Sequence, residues 1–394
     1  MARLDLRSFA QPDLLKGLRA ANLLNLLEPF RMFFEMKGLE LPTNLTDPID
    51  VRALAAVLAQ PDEDMPGELV EALHLISSLG SEERFDDLLV LADASGVSVD
   101  SEVTPLDLAT QIWLKNPEAL ERKEQERSFE KRRTFESFIA VDPDTAVEVD
   151  QLPAGLTLLE QALEEYFFAK KRGVGCRITR MDGPGEARFL VEHGQPCKRE
   201  PSRKGRRSTT TFYRPEKTDI VIYDAVHNEL RINAASLPDM REYRKLFSLH
   251  LFGAEDCFVL SDKYTLAPLQ RDGIDALNCR DIPGMERVDL CELEYAWPGP
   301  FQHRETIRSA NLFSSLAALN REIERDALIV KAVFKIKWEG QRKLQTVTIK
   351  AGNKSGYTRG EESMIVEDWL RARGFIVTRE RIEDAALEED LAIA

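Results

Sequence analysis

The 394-residue chain is poor in the residues that build covalent or metal frameworks. It has five cysteines (Cys176, Cys197, Cys257, Cys279 and Cys291), an odd number, at long spacings and with no C-x-x-C pair. That argues against a disulfide scaffold or a zinc knuckle and fits buried thiols in a reducing compartment. Its five histidines are scattered, with no H-E-x-x-H or H-x-x-x-H spacing, so no histidine metal centre is written into the chain. Long apolar runs are missing too. The best stretches, around 14–27 and 30–36, are broken by Lys16, Arg19, Glu28 and Arg31. Met1–Phe9 carries Arg3, Asp5 and Arg7 ahead of no apolar segment, so a secretory leader is not expected. The expectation is a cytoplasmic protein without a membrane segment. No G-x-x-x-x-G-K-[ST], no dinucleotide glycine fingerprint and no G-x-S-x-G is found, which argues against NTPase, Rossmann and α/β-hydrolase chemistry.

What is present is an uneven charge. The net charge is −15. Between Glu40 and Thr110 there are 16 acids against 2 bases, which accounts for nearly all of the excess. Lys198–Lys217 has 8 bases against 2 acids, and Lys331–Arg359 has 8 against 1. Local sign decides what a surface attracts, so a polyanion remains a candidate partner despite the acidic total.

Punctuation divides the chain. The first third reads as short helices. Thr104-Pro105-Leu106-Asp107 is a cap, a proline at the first helical position and a reciprocal acid; Asn116-Pro117-Glu118 opens a long charged helix to about Phe138. Turn-rich residues at 141–155 suggest a linker between a helical domain, 1–140, and a second domain, 156–394. In that second part a helix over 156–172 is followed by strand-like runs at 176–180, 187–192, 209–213, 220–223 and 229–233. Helices over 239–251, 305–319 and 361–373 are interleaved with strands at 257–260, 288–295, 332–338 and 344–350. Strands come in adjacent runs, which predicts an α+β fold: an acidic helical region, then a mixed or antiparallel sheet with flanking helices.

Three segments can carry function. In Phe212–Ala234, Asp219 opens one strand, and Glu229 and Arg231 lie two apart on the next, sharing a face. This resembles the PD-(D/E)xK nuclease pattern. The resemblance implies Asp219 and Glu229 as ligands of a magnesium ion, the third residue as a helper of the attacking water, and Glu160, Glu164 or Glu165 as a further acid. It spans about twenty residues. Arg231 stands where the pattern has lysine, and Thr218 where it has proline. Arginine keeps its proton, so a binding protein without a cofactor stays open beside a nuclease. So does a plain surface hairpin with Glu229 and Arg231 in water.

The second segment is a basic loop offering Lys198, Arg199, Arg203, Lys204, Arg206, Arg207, Arg214 and Lys217 to phosphates, with Tyr213 placed to stack on a base. The third offers Lys335, Lys337, Lys350, Lys354 and Arg359 on and after two strands. Lysines that guard a sheet edge would look the same. The leading expectation is a non-catalytic DNA- or RNA-binding protein or subunit. The alternatives are a metal-dependent nuclease and a regulatory subunit that docks a protein partner on its acidic helices, as an accessory of a bacterial defence complex would.

Overall fold

A computed structural model describes residues 6, 8–44, 47–131, 133–260, 262–360 and 362–377. The chain divides into two compact units, Met1–Ser128 with the short segment Arg203–Ser208, and the remainder from Phe129.

The first unit is helical: α1 (Pro12–Leu15), α2 (Ala20–Leu27), α3 (Arg31–Met36), α4 (Val51–Leu58), α5 (Gly67–Leu79), α6 (Phe85–Ala94), α7 (Pro105–Lys115) and α8 (Pro117–Glu130). Two starts follow from capping chemistry. Asp50 accepts from the amides of Arg52 and Ala53, and Thr104 from that of Asp107, which supplies partners to amides the helix cannot bond itself. Leu27, Leu54, Leu69, Leu73, Ile76 and Ile112 close into one dry core. No helix among the described residues is long and apolar enough to cross a membrane.

From Phe129 onward the chain is rich in strands: β1 (Arg133–Ala140), β2 (Arg177–Gly183), β3 (Glu186–Gly194), β4 (Lys198–Lys204), β5 (Arg207–Tyr213), β6 (Glu216–Asp224) and β7 (Glu229–Asn233), then β8 (Phe258–Leu260), β9 (Met285–Ala296), β10 (Arg304–Arg308), β11 (Leu328–Trp338), β12 (Gln345–Lys350) and β13 (Lys354–Tyr357). Eleven of them form an antiparallel sheet in the order β10-β9-β11-β12-β13-β1-β7-β6-β3-β2, with β8 continuing the β13 side of β1; β4 and β5 pair separately. The fold is thus mixed α+β, helical first and strand-rich afterwards.

The segment 133–140 was expected to continue the charged helix. It is instead the strand that joins the two halves of the sheet, pairing with β7, β8 and β13. Phe135, Phe138 and Ala140 are buried there, and only partners distant in sequence make that possible. The helix expected over 305–319 is likewise split into strand β10 and helix α12 (Leu312–Ala318), capped by Asn311 onto the amide of Ser314. The loop expected at 353–359 contains β13.

One face of the β3-β6-β7 region packs against α9 (Thr157–Ala169) and α10 (Leu237–Phe252) through Leu163, Phe167, Val221, Tyr223, Leu230 and Phe247. The other half of the sheet packs around α13 (Ser363–Ala372), whose Trp369 meets Phe334 and Phe375 edge-on or tilted. A short helix, α11 (Ala267–Arg271), adds Leu269 to that core.

Candidate functional site

Strand register separates the residues of the nuclease-like pattern. In the β6–β7 hairpin Asp224 lies opposite Glu229, Ile222 opposite Arg231, and Ile220 opposite Asn233. Asp219 is therefore at the far end of the hairpin from Glu229, five residues or roughly 17 Å along the strand. An odd separation also puts it on the opposite face. Asp219 shares its face with Val221 and Tyr223, under α9 and α10. Its Oδ2 accepts from the Tyr243 hydroxyl (3.0 Å) and faces His193 Nε2 (3.1 Å), while Oδ1 meets Lys217 Nζ. Phe167 stacks flat on the His193 ring at 3.9 Å. Burial would raise the Asp219 carboxyl, but the bonds from His193 and Lys217 hold it below its ordinary value. Asp219 is an anchor between sheet and helices. Glu160 and Glu164, offered as further acids, accept the amides of Ile178, Gly175 and Cys176 and seat the start of β2 on α9.

Glu229 and Arg231 are not in water: they are 2 % and 5 % exposed. The loop after β8 brings Lys263 to Glu229, with Nζ at 2.9 and 2.7 Å from its two oxygens. Arg231 Nε reaches Glu229 (3.2 Å), and its Nη2 reaches both Asp224 and, on α13, Glu367 (3.2 Å). Glu367 Oε1 also accepts from the Tyr357 hydroxyl (2.8 Å) and Arg359 Nη1 (2.9 Å). Arg359 Nη2 reaches Ser355 Oγ (2.9 Å), and the guanidinium lies 3.8 Å from the Tyr357 ring centre. Three buried cations, Arg231, Lys263 and Arg359, thus match three buried anions, Asp224, Glu229 and Glu367.

Desolvation works against each of these charges and their neighbours overcome it. Burial pushes Glu367 up, yet Arg231, Lys263 and Arg359 hold it well below the ordinary carboxylate range. Glu229 and Asp224 are lowered in the same way, Glu229 by Lys263 and Arg231, Asp224 by His227 and Arg231. Burial would lower Lys263, and Glu229 raises it instead.

At the rim, Arg371 Nη2 lies 2.7 Å from His227 Nε2, and His227 Nδ1 lies 2.8 Å from Asp224 Oδ2. An arginine only donates, so this geometry puts the histidine proton on Nδ1, directed at Asp224. Ligand atoms of Asp224, His227 and Glu367 come within 4.8 Å of one another. A metal ion there would compete with Arg231, which holds both carboxylates. Beside this network lies a cavity of about 470 Å³.

The basic segments have different fates. Lys198–Lys217 is not a loop: it forms the β4–β5 hairpin, turned at Gly205 with φ +57°, and the start of β6. Every residue of β5 is exposed, Phe212 at 70 %. Arg199 bonds Thr210 Oγ1, and Tyr213 bonds Glu200. Arg214 holds the hairpin base, donating to the carbonyls of Lys171 (2.9 Å) and Gln195 (2.8 Å), while Lys217 is committed to Asp219. Lys198, Arg203, Arg206 and Arg207 are exposed and form no ion pair among the described residues. The side chain of Lys204 lies outside the described residues.

In the third segment Lys331 and Lys337 pair with Glu292 and Glu286 of the neighbouring strand, and Lys335 lies opposite Asp289. Lys354 is 3.5 Å from Glu136, and Lys350 sits across from Lys331. Arg359, expected on the surface, is 4 % exposed and belongs to the buried network. Much of this stretch is therefore neutralised within the sheet.

No protein-family model matches the chain, and no curated protein matches it in sequence.

Sequence reasoning missed Asp224, which flanks the same four-residue turn as Glu229 and was within reach of a hairpin count. It also missed Lys263, Glu367 and Arg371, which no local pattern ties to β7. Lys170 and Lys171 were missed as exposed bases beside the hairpin base, a placement revealed by the Arg214–Lys171 bond.

Proposed function

We propose that the protein binds nucleic acid through the β4–β5 hairpin and the bases at its foot. The observation that carries this reading is a hairpin outside the main sheet whose second strand is exposed along its whole length and which presents Lys198, Arg203, Arg206 and Arg207 without ion-pair partners among the described residues. Unpaired bases release counterions from a phosphate backbone, whereas paired ones must first break a bond. Phe212 and Tyr213, exposed at the end of β5, suit stacking on unpaired bases. Lys170 and Lys171 widen the positive surface at the base. The contacts are of the kind that position a backbone, so weak sequence preference follows.

Binding is proposed in preference to cleavage because Asp219 and Glu229 do not converge, and the carboxylates that do converge are matched by arginine and lysine. The test is a titration of DNA and RNA oligonucleotides against salt. Alanine at Lys198, Arg203, Arg206 and Arg207 together is expected to weaken binding for all sequences. It should flatten the log–log salt slope by up to about 3.6 for duplex DNA, at about 0.9 per lost phosphate contact. An unchanged slope in the quadruple variant would remove the hairpin from the account.

A further inference from the structure

A two-stranded ribbon has two faces, and those of β4–β5 differ in chemistry. Successive side chains of a strand point to opposite sides. Arg199 Nη2 donates to Thr210 Oγ1 (3.2 Å), so these two share a face, and Phe212, two residues on from Thr210, shares it as well. The Tyr213 hydroxyl donates to Glu200 Oε2 (3.2 Å), and this pair lies on the other side. One face thus carries a guanidinium, a hydroxyl and an aromatic ring. The other carries a carboxylate that ties down the hydroxyl of its own aromatic.

The first face is the more open one. Phe212 is 70 % exposed against 37 % for Tyr213, and Arg199 is exposed with only a neutral partner among the described residues. Two residues past Phe212, Arg214 is fixed to the carbonyls of Lys171 and Gln195. That bond brings Lys170 and Lys171 to the same end of the ribbon, both exposed and neither in an ion pair among the described residues. The Phe212 ring therefore stands among cations, with Arg199 on its own face and the two lysines at the foot. Phenylalanine has no hydrogen-bonding group, so it reads no base edge in a groove. It offers only a flat apolar surface. In a duplex the base faces are covered by their neighbours, whereas in a single strand they are free to stack on a protein ring.

We propose that the nucleic acid bound by this hairpin is single-stranded, an unpaired base stacking on Phe212 while Arg199 holds a neighbouring phosphate and the strand leaves over Lys171. This rests on the nucleic-acid-binding function inferred from the hairpin and narrows it to one substrate class and one face. Arg199 and Phe212 lie within cross-strand reach through Thr210, at the spacing where a long side chain and a ring serve one nucleotide. None of these contacts involves the sugar 2′ position, so DNA and RNA single strands share the chemistry.

The test uses the full chain and the fluorescence anisotropy of labelled oligo(dT), oligo(rU) and a duplex, each about 20 nucleotides long. The single strands are expected to bind at least about tenfold more tightly than the duplex, and the tighter of the two names DNA or RNA as the source. Phe212→Ala changes an exposed residue and is expected to weaken single-strand binding about five- to 150-fold, with an unchanged salt slope and circular dichroism spectrum. Arg199→Ala should weaken binding and flatten the slope by about 0.7, the value of one single-strand phosphate contact. Should Phe212→Ala disturb the ribbon, Phe212→Trp decides, because a larger ring must bind at least as tightly. A duplex bound as tightly as the single strands, wild-type affinity in folded Phe212→Ala, weaker binding by Phe212→Trp, or a greater loss in Tyr213→Leu than in Phe212→Ala overturns the proposal and leaves the nucleic-acid reading standing. No binding of any of the three at low salt overturns both.

Discussion

Replacing Lys263 by methionine removes one charge from a buried set of three cations and three anions and leaves the chain length of the side chain almost unchanged. Lys263 is 7 % exposed and bonds both oxygens of Glu229. After the change Glu229 keeps only the Nε of Arg231, a donor on a guanidinium it shares with Asp224 and Glu367. One buried negative charge is then uncompensated. Removing one partner of a buried pair costs about 3–5 kcal/mol, against a whole-domain stability of about 5–15 kcal/mol. Lys263→Met is therefore expected to lose a large part of the stability of the strand-rich unit. Adding Glu229→Gln restores charge balance and should recover most of the loss, leaving a coupling of about 2–3 kcal/mol between the two positions. Urea unfolding followed by tryptophan emission measures this in a Trp113→Phe background, where Trp297, Trp338 and Trp369 all report on the strand-rich unit. A loss below about 1 kcal/mol for the single variant, the value of an exposed pair, would refute the argument. So would a double variant whose loss equals the sum of the two single ones.

The pH dependence follows from the same groups. Asp219, Asp224, Glu229 and Glu367 are all lowered on folding from ordinary values of 3.8 and 4.5, so their stabilisation is complete above those values and is lost as pH falls through the folded ones. Lys263 is raised above 10.5, so its contribution is present below that value and is lost only as pH climbs past it. Urea midpoints should be flat from about pH 5 to 10 as far as these groups are concerned and fall on the acid side, and a maximum near pH 4 would contradict this. Gly194→Ala should destabilise the base of the hairpin by about 1–3 kcal/mol. A β-carbon there would sit 2.2 Å from the Arg172 carbonyl and 2.7 Å from the Arg214 side chain. Wild-type hydrogen exchange at Gln195 in this variant would show that the carbonyl had moved aside without consequence.

Local physics was legible in the residues alone. The cap at Thr104 and the prolines that open α7 and α8 were legible, and the adjacent order of the strand-like runs pointed to an α+β fold. The basic composition of 198–217 was equally plain, though its pairing into β4 and β5 was not. These signals act over a few residues, so a sequence contains them whole. Arg133–Ala140 shows where that ends: its charged lead-in reads as helix, and only three strands from other parts of the chain make it the seam of the sheet. The site shows it again. Glu229 and Arg231 were visible as a pair, but their environment was not. Strand register put Asp219 on the other face, and tertiary packing delivered Lys263, Arg359 and Glu367 to fill the space the pattern would give to a metal. Charge in a sequence has a sign and a position; whether it faces water, a partner strand or a buried counter-ion is decided by which segments meet, and that is a property of the folded chain.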